Sequence, residues 1–513
     1  MNIRFWQFCV LFYLALSLAG CAISLPQQNT PPTFALSADP DSQIGRYVAD
    51  HRPENSRHLS GFTLVHSGTD ALAARLAMID KAERSLDLQY YIYNADVTGG
   101  LVAERLLSAA DRGVRIRLLL DDIGGGMRDF AVATLNHHPN IRIKMFNPVR
   151  LRGGLLKYLG KVGEFGRINH RMHNKLMLVD SQMFITGGRN IGDEYFSLST
   201  TDFQDIDIIG MGEVTQHVVR SFDDYWNANE SVPVESIFGV ADEKDGKRLR
   251  AQLQKLRQRH NGGSYLQAVA ESPFAWAWLA DRIDWHWGEA QWLSDPPTKA
   301  DPSHATNQVP ILARKLATHA RDSEYELLLM SAYFIPGISG QVFLLDLVEH
   351  GVEVSVLTNS LATTDVLAVH SGYANYRKAL LEGGVKIWEL RAKAAQRERA
   401  SPFFGESLAS LHAKAFVFDR EKVFVGSVNL DPRSIMLNTE AGVLVHEPAL
   451  AEELAALFSR WTSADYAFAL TLNEQGQIRW EAGQRTWDSE PRASRFRRAA
   501  AWLFGWLPIE GQL

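Results

Sequence analysis

The stretch His173-Asn-Lys175-Leu-Met-Leu-Val-Asp180, followed seven residues on by Gly187-Gly188-Arg-Asn190, occurs twice in this chain. Its second copy reads His412-Ala-Lys414-Ala-Phe-Val-Phe-Asp419, followed by Gly426-Ser427-Val-Asn429. The copies stand 239 residues apart and share every internal spacing. Each lies in an apolar, strand-like run, 175–179 and 414–418. On a strand, residues i and i+2 share a face, so the His and Lys of one copy project into one pocket. The Asp sits at an odd offset and faces the other way, which makes Asp180 and Asp419 buried structural members of the motif. Gly187-Gly188 and Gly426-Ser427 permit close backbone approach to a ligand. Asn190 and Asn429 supply amide donors for an anionic oxygen, with Ser427 as a further polar contact beside them.

Two such half-sites facing each other bring together two imidazoles, two ammonium groups and two amides. Displacement at a phosphate diester needs a nucleophile, a proton donor for the leaving alkoxide, and fixed positive charge around the remaining oxygens. Histidine serves as nucleophile and as general acid near neutral pH. The lysines supply the charge that a divalent cation otherwise would, so neither a metal nor a cofactor is expected.

With these residues the chain resembles the phospholipase D superfamily, whose duplicated His-x-Lys-x4-Asp signature this is. The resemblance implies that His173 becomes a covalent phosphohistidine. It implies that His412 protonates the leaving group and later, as base, activates the acceptor. It also implies a carboxylate downstream of each motif that orients a histidine. Asp205, in Phe203-Gln-Asp-Ile-Asp207, and Glu440, in Leu437-Asn-Thr-Glu, stand at those positions. His137, His138 and His170 read as ordinary loop or surface histidines, and Tyr90, Tyr91 and Tyr93 as strand packing.

The 513 residues, 46% hydrophobic, suffice for two domains with full cores. A formal charge of −6 does not suit a protein that coats nucleic acid, and no nucleic-acid partner is expected. At the N-terminus, Arg4 precedes an apolar run that ends in Leu18-Ala19-Gly20-Cys21. That ending resembles a bacterial lipoprotein signal, cleaved before a lipid-modified Cys21; an uncleaved signal anchor in the inner membrane is the alternative. Ala22 favours outer-membrane sorting, facing the periplasm. Residues 1–20 are then a signal peptide and 21–57 a tether rich in Pro, Gln, Ser and Asp. Cys9 leaves with the signal, so no intramolecular disulfide remains possible.

The duplication extends beyond the motif. Strand-like 85–93, helical 101–112 and strand-like 113–120 recur in the same order as 326–333, 342–350 and 351–357. This predicts a duplicated α/β fold with two mixed sheets flanked by helices, the halves spanning 58–239 and 306–465. The resemblance adds that the halves pair about a pseudo-twofold axis with the active site between them. Residues 240–305 form a Trp-rich insert and linker, whose tryptophans either meet a lipid headgroup region or pack on the core. After strand 352–357 come His370 and Arg377, candidates for headgroup contact or for a structural role, in a stretch that resembles bacterial cardiolipin synthases. The closing segment, 466–513, combines Arg492, Arg495, Arg497 and Arg498 with Trp502 and Trp506. It suits an interfacial helix on anionic lipid, or a closing piece of the core.

A phosphodiester-handling enzyme held at a membrane points to membrane phospholipids as substrates, phosphatidylglycerol and a second lipid such as phosphatidylethanolamine. Transfer to a lipid hydroxyl gives cardiolipin. Transfer to water gives a phospholipase D or a periplasmic nuclease by the same intermediate. A scaffold that kept only the fold is the rival of another class, against which both His–Lys pairs are intact. Internal symmetry lets a monomer suffice, and no motif identifies an accessory protein.

Overall fold

Each motif forms the first strand of a tight hairpin, and around each hairpin the chain lays down the same sheet. The computed structural model describes residues 31–122, 129–149, 165–199, 201–304, 308–392, 408–507 and 510–513. The first half holds β1 (Ser60–Val65), β2 (Ser85–Tyr90), β3 (Arg115–Asp121), β4 (Ile141–Phe146), β5 (Leu176–Val179) and β6 (Met183–Gly187). It continues with β7 (Thr201–Gln204), β8 (Asp207–Gly212) and β9 (Ser231–Pro233). After β10 (His286–Ser294) come β11 (Glu326–Ser331), β12 (Glu353–Asn359), β13 (Lys386–Leu390), β14 (Leu408–Leu411), β15 (Lys414–Phe418) and β16 (Lys422–Gly426). β17 (Ala441–His446), β18 (Ala467–Leu472), β19 (Ile478–Ala482) and β20 (Arg485–Trp487) complete the set.

The spatial order is β10-β1-β8-β6-β5-β2-β3-β4-β9 in one half. In the other it is β10-β17-β16-β15-β11-β12-β13-β18-β19-β20. β2, β3 and β4 run parallel, as do β11, β12 and β13, and the helices Val97–Asp111 and Gly337–Glu349 make the equivalent crossovers. Each crossover helix is followed by a left-handed glycine, Gly113 at φ 98° and Gly351 at φ 95°, where a side chain would be strained. The sheets are mixed and flanked by helices, as the duplicated pattern predicts.

β10 changes the reading of the insert. His286 to Gly288 pair with β1, and Glu289 to Ser294 pair with β17, so one strand joins both sheets into a continuous ribbon. It occupies in the second half the place that β1 has in the first, and residues 286–294 belong to the fold. Trp278, Trp285 and Trp287 pack on the first half's core and Trp292 on the layer between the sheets; only Trp276 stands well out in solvent. Packing, not lipid contact, accounts for four of the five.

The tether reading is corrected over 31–57. Residues 33–39 lie along the first half, with Ala35 N–H on Asp223 and Arg117 on the Thr33 carbonyl. The helix Gln43–His51 is capped by Ser42 and buries Ile44 and Val48, which an unattached linker has no reason to do. Residues 1–30, including Cys21 and the proposed signal, lie outside the described residues.

One apolar core lies under the outer helices of each half, and a third fills the space between the sheets. This middle layer joins Leu176, Leu178 and Phe184 of one half to Ala415, Val417 and Val443 of the other. Burial on this scale, at about 25 cal/mol per Å² of apolar surface, welds the halves into one body.

Candidate active site

The motif Asp explains the hairpin. Asp180 and Asp419 take the left-handed position of the turn, at φ 50° and 52°, a conformation that Asp tolerates better than most residues. Asp180 then accepts the backbone N–H groups of Glu83, Arg84 and Ser85, and Asp419 those of Glu324, Tyr325 and Glu326. Each carboxylate thus ties its hairpin to the start of the neighbouring antiparallel strand, β2 or β11, facing away from the histidines.

The residue before each His is held by the opposite half. Met172 bridges Thr439 in parallel, and His173 N–H donates to the Thr439 carbonyl at 2.9 Å. Leu411, at the end of β14, pairs with Gln204 of β7, and His412 N–H donates to the Gln204 carbonyl at 2.8 Å. Thr439 and Gln204 directly precede the two carboxylates, so the carboxylates arrive crosswise. His173 Nδ1 lies 3.0 Å from both oxygens of Glu440, and His412 Nδ1 lies 2.6 Å from Asp205 Oδ2. Neither histidine is paired with the carboxylate downstream of its own motif. Both carboxylates are fully buried.

These pairs set the proton positions. His173 holds Glu440 ionised, below the usual carboxylate range, although burial alone pushes it up; His412 does the same for Asp205. An ionised carboxylate accepts, so Nδ1–H donates, which leaves each Nε2 as the free ring nitrogen. Burial lowers His173 to about 4 against the opposing pull of Glu440, and burial with Lys414 also lowers His412. His173 is neutral at pH 7 and its Nε2 lone pair is available.

Lys175 and Lys414 are buried, and each ammonium donates one bond to the carbonyl of its own motif's His. Two N–H groups per lysine remain for a ligand. Burial lowers Lys175 to about 7 and also depresses Lys414. A bound phosphate diester, being an anion, raises both again.

Several residues depart from expectation. Asn190 is engaged within the protein: its carbonyl accepts Ile92 N–H and its amide donates to Tyr195 Oη. Asn429, equally buried, has a carbonyl oxygen without a partner among the described residues. Ser427 directs its hydroxyl to Glu440 and accepts Ala441 N–H, which makes it a holder of the carboxylate and not a ligand contact. The close approach at Gly188 is to Asp205, whose Oδ1 would lie 2.0 Å from an added Cβ. His370 and Arg377 form a buried ion cluster: Arg377 joins Glu389 at 2.9 Å and Glu490 at 2.7 Å, and His370 Nε2 faces Glu490. Both ends of that guanidinium are already committed to carboxylates.

Tyr91, expected to serve strand packing, lies in the site. β2 ends at Tyr90, so Tyr91 turns its ring edge to His173 at 5.1 Å, with Lys175 Nζ 5.7 Å from the ring centre. Tyr195 and Phe203 enclose His412 at 5.2 and 5.0 Å. Asp295 supports Glu440 from behind, accepting its N–H and the Lys299 ammonium. Position relative to a strand end was the available signal for Tyr91; nothing local marked Asp295. Among the described residues, no cluster of three or more His, Cys, Asp or Glu side chains is placed to hold a metal ion.

Two hairpins that each present an imidazole and an ammonium to a common seam, with carboxylates exchanged between halves, define a phospholipase D-type phosphodiester-transfer site. The family model described as "Cardiolipin synthase, PLD-like domain" matches residues 76–226 and 316–462, and the chain belongs to that family. It is 36% identical to cardiolipin synthase C of Escherichia coli K12, over 88% of this chain and 95% of that one. It is 24% identical to the major cardiolipin synthase of Bacillus subtilis 168, over 77% of this chain and 67% of that one. The fold is also that of phosphatidylserine synthase from Haemophilus influenzae Rd KW20, with a TM-score of 0.57 at 12% identity, covering 92% and 100%.

Proposed function

We propose that the protein is a phosphatidyltransferase that makes cardiolipin from phosphatidylglycerol and a second phospholipid. The carrying observation is the pair of crossed His–carboxylate contacts, each leaving Nε2 free beside a buried lysine. His173 Nε2 attacks the donor phosphorus and the bond to the headgroup oxygen breaks. Binding of the diester anion raises His412, which takes up a second proton on Nε2, and the leaving oxygen departs with that proton, giving a phosphatidyl-histidine and a free alcohol. A glycerol hydroxyl of phosphatidylglycerol then yields its proton to His412 and attacks the same phosphorus. The P–N bond breaks and His173 is restored. Lys175 and Lys414 hold the non-bridging oxygens throughout, and phosphatidylethanolamine is an alternative donor. Cys21 lipidation, with the enzyme on the outer membrane facing the periplasm, would place it among these substrates.

The test is lipid mass spectrometry on membranes carrying wild type, His173→Ala or His412→Ala. Wild type raises cardiolipin, and each variant loses transfer by roughly 10³-fold or more. With an activated nitrophenyl phosphodiester, His412→Ala accumulates a covalent adduct on His173, and His173→Ala forms none. Phosphatidic acid in place of cardiolipin would show water to be the acceptor. Full activity in His173→Ala would sink the mechanism.

A further inference from the structure

The helix Arg495–Phe504 has no buried residue, although seven of its ten positions are apolar. Phe496 is 79% exposed, Trp502 66%, Leu503 60% and Trp506, just beyond the helix, 73%. A soluble surface seldom leaves four large apolar side chains so close together in sequence without a partner. Arg492, Arg495 and Arg498 stand exposed beside them, a local basic cluster on a chain of net charge −6. Aromatic residues with adjacent arginines match the headgroup region of an anionic bilayer, where tryptophan favours the interface and arginine meets phosphate.

The helix is nevertheless placed with care. Ser494 caps it, and the Ala501 carbonyl accepts the Ser371 hydroxyl at 2.8 Å. Arg497 donates to the carbonyls of Leu361 and Thr364. That loop begins immediately after Asn359, whose amide group grips the backbone N–H and carbonyl of Leu411, the residue before His412. The exposed helix is therefore one loop away from the second catalytic motif. Beside it a cleft of about 470 Å³ stays open, lined in part by His370, Trp480, Glu490, Trp502 and Trp506, and Trp502 and Trp506 do not close the core. A closing segment would have buried them.

We propose that the segment Arg495 to Leu507 is a membrane-docking element that seats the rim of the active site on the surface of an anionic phospholipid bilayer. The proposal rests on the reading that the substrate is a bilayer lipid, but its first test does not depend on turnover. The full-length chain is incubated with phosphatidylglycerol vesicles containing brominated acyl chains, and tryptophan quenching is compared between wild type and Trp502→Phe/Trp506→Phe. Wild type loses a share of its fluorescence that the double variant does not lose, and added salt shrinks that share as it screens the arginines. Equal quenching in the two proteins would overturn the proposal. The second test uses Trp502→Ser/Leu503→Ser/Trp506→Ser on the same lipid, presented in vesicles or dispersed in detergent. Turnover on vesicles falls roughly tenfold or more while turnover in detergent stays within about twofold, since only the former needs a docked surface. An equal loss in both presentations would mean a merely structural helix. Absence of any turnover by wild type would count against the transferase reading and leave the quenching result standing.

Discussion

The half built around His173 and the half built around His412 share a strand order, a hairpin turn and a His–Lys pair, yet they are supported differently. In the first, Arg75 and Arg189 converge on Asp207, Arg117 pairs with Asp87, and Arg171 pairs with Asp121, all of them buried. By strand register the equivalent positions of the second half carry Gly442 for Asp207, Val428 for Arg189, Leu328 for Asp87, Ser355 for Arg117 and Asn359 for Asp121. At these positions one half carries ions and the other apolar side chains and a neutral amide; the second half's own buried ions, Arg377 with Glu389 and Glu490, lie elsewhere. Buried ion pairs are poor sources of net stability, and breaking one is costly, so this wiring enforces geometry more than it adds free energy. What is common to both halves includes the His–Lys pair at the shared seam, and what differs lies in the support around it. The unequal supports give the two histidines different surroundings, which suits the different parts proposed for them.

The sharpest way to break that comparison is to exchange each orienting carboxylate for an amide. Because the pairs cross between halves, Glu440→Gln should disable His173 and Asp205→Asn should disable His412. An amide at such a position disturbs the tautomer of the imidazole, and each variant loses roughly 10²–10⁴-fold in turnover. Their failures differ in kind. A nitrophenyl leaving group needs no proton, so Asp205→Asn still forms the His173 adduct in a rapid-quench experiment and is blocked afterwards. Glu440→Gln forms the adduct slowly with any donor. The reverse assignment, with Asp205→Asn lacking the adduct, would mean that the roles of the two histidines are exchanged.

A great deal of this was legible in the chain, and the reason is periodicity. Two copies of one motif at fixed spacing, each preceded by the same strand-helix-strand order, carry the duplication and the mixed sheets on their face. The structural place of Asp180 and Asp419 agrees with the expectation from their offset, although the hairpin turn and not strand alternation sets it. The exchange of carboxylates was not legible, because it depends on β14 pairing with β7 and Met172 with Thr439 across more than two hundred residues. Asn190 was misread for a similar reason: its spacing matches Asn429, but Tyr195 stands beside it and takes its amide. β10 was hidden in a stretch whose tryptophans and basic helix suggested an insert, since its strand character comes from two partners far away in sequence.

A smaller contrast lies at one position of the motif. Gly188 leaves room for Asp205, and its counterpart Ser427 extends a hydroxyl to Glu440. Gly188→Ser forces an atom into the space of a buried carboxylate, costing about 1–3 kcal/mol of stability together with the position of His412. Ser427→Gly removes one charge-assisted hydrogen bond, worth about 1.5–3 kcal/mol to the placement of Glu440, and opens no clash. The expected result is a severe loss of transfer in Gly188→Ser and a milder one in Ser427→Gly, with thermal unfolding of both variants as the check on folding. If Gly188→Ser retained wild-type activity, the close approach between Gly188 and Asp205 would have no part in positioning His412.

The finest contrast concerns the charge on the buried lysines, which pH reads. Burial brings Lys175 to about 7, and its partner Lys414 is depressed as well, while His173 sits near 4. A depressed ammonium is charged below its pKa and neutral above it. As pH rises through 7, Lys175 in the empty site loses the charge that meets the diester, and binding weakens. Once the anion is bound it raises the same pKa, so the complex keeps its proton. KM for a phosphodiester should therefore climb above pH 7, approaching about tenfold per unit, while kcat changes much less. Lys175→Arg removes the titration, because a guanidinium stays charged across this range, and its KM should be level between neutral and alkaline pH even if its kcat is lower. The acid side is governed by His173: protonation near pH 4 removes the Nε2 lone pair, and kcat/KM falls there for wild type and Lys175→Arg alike. A wild-type KM that stayed flat from neutral to alkaline pH would show that Lys175 is charged throughout and that its titration does not govern binding.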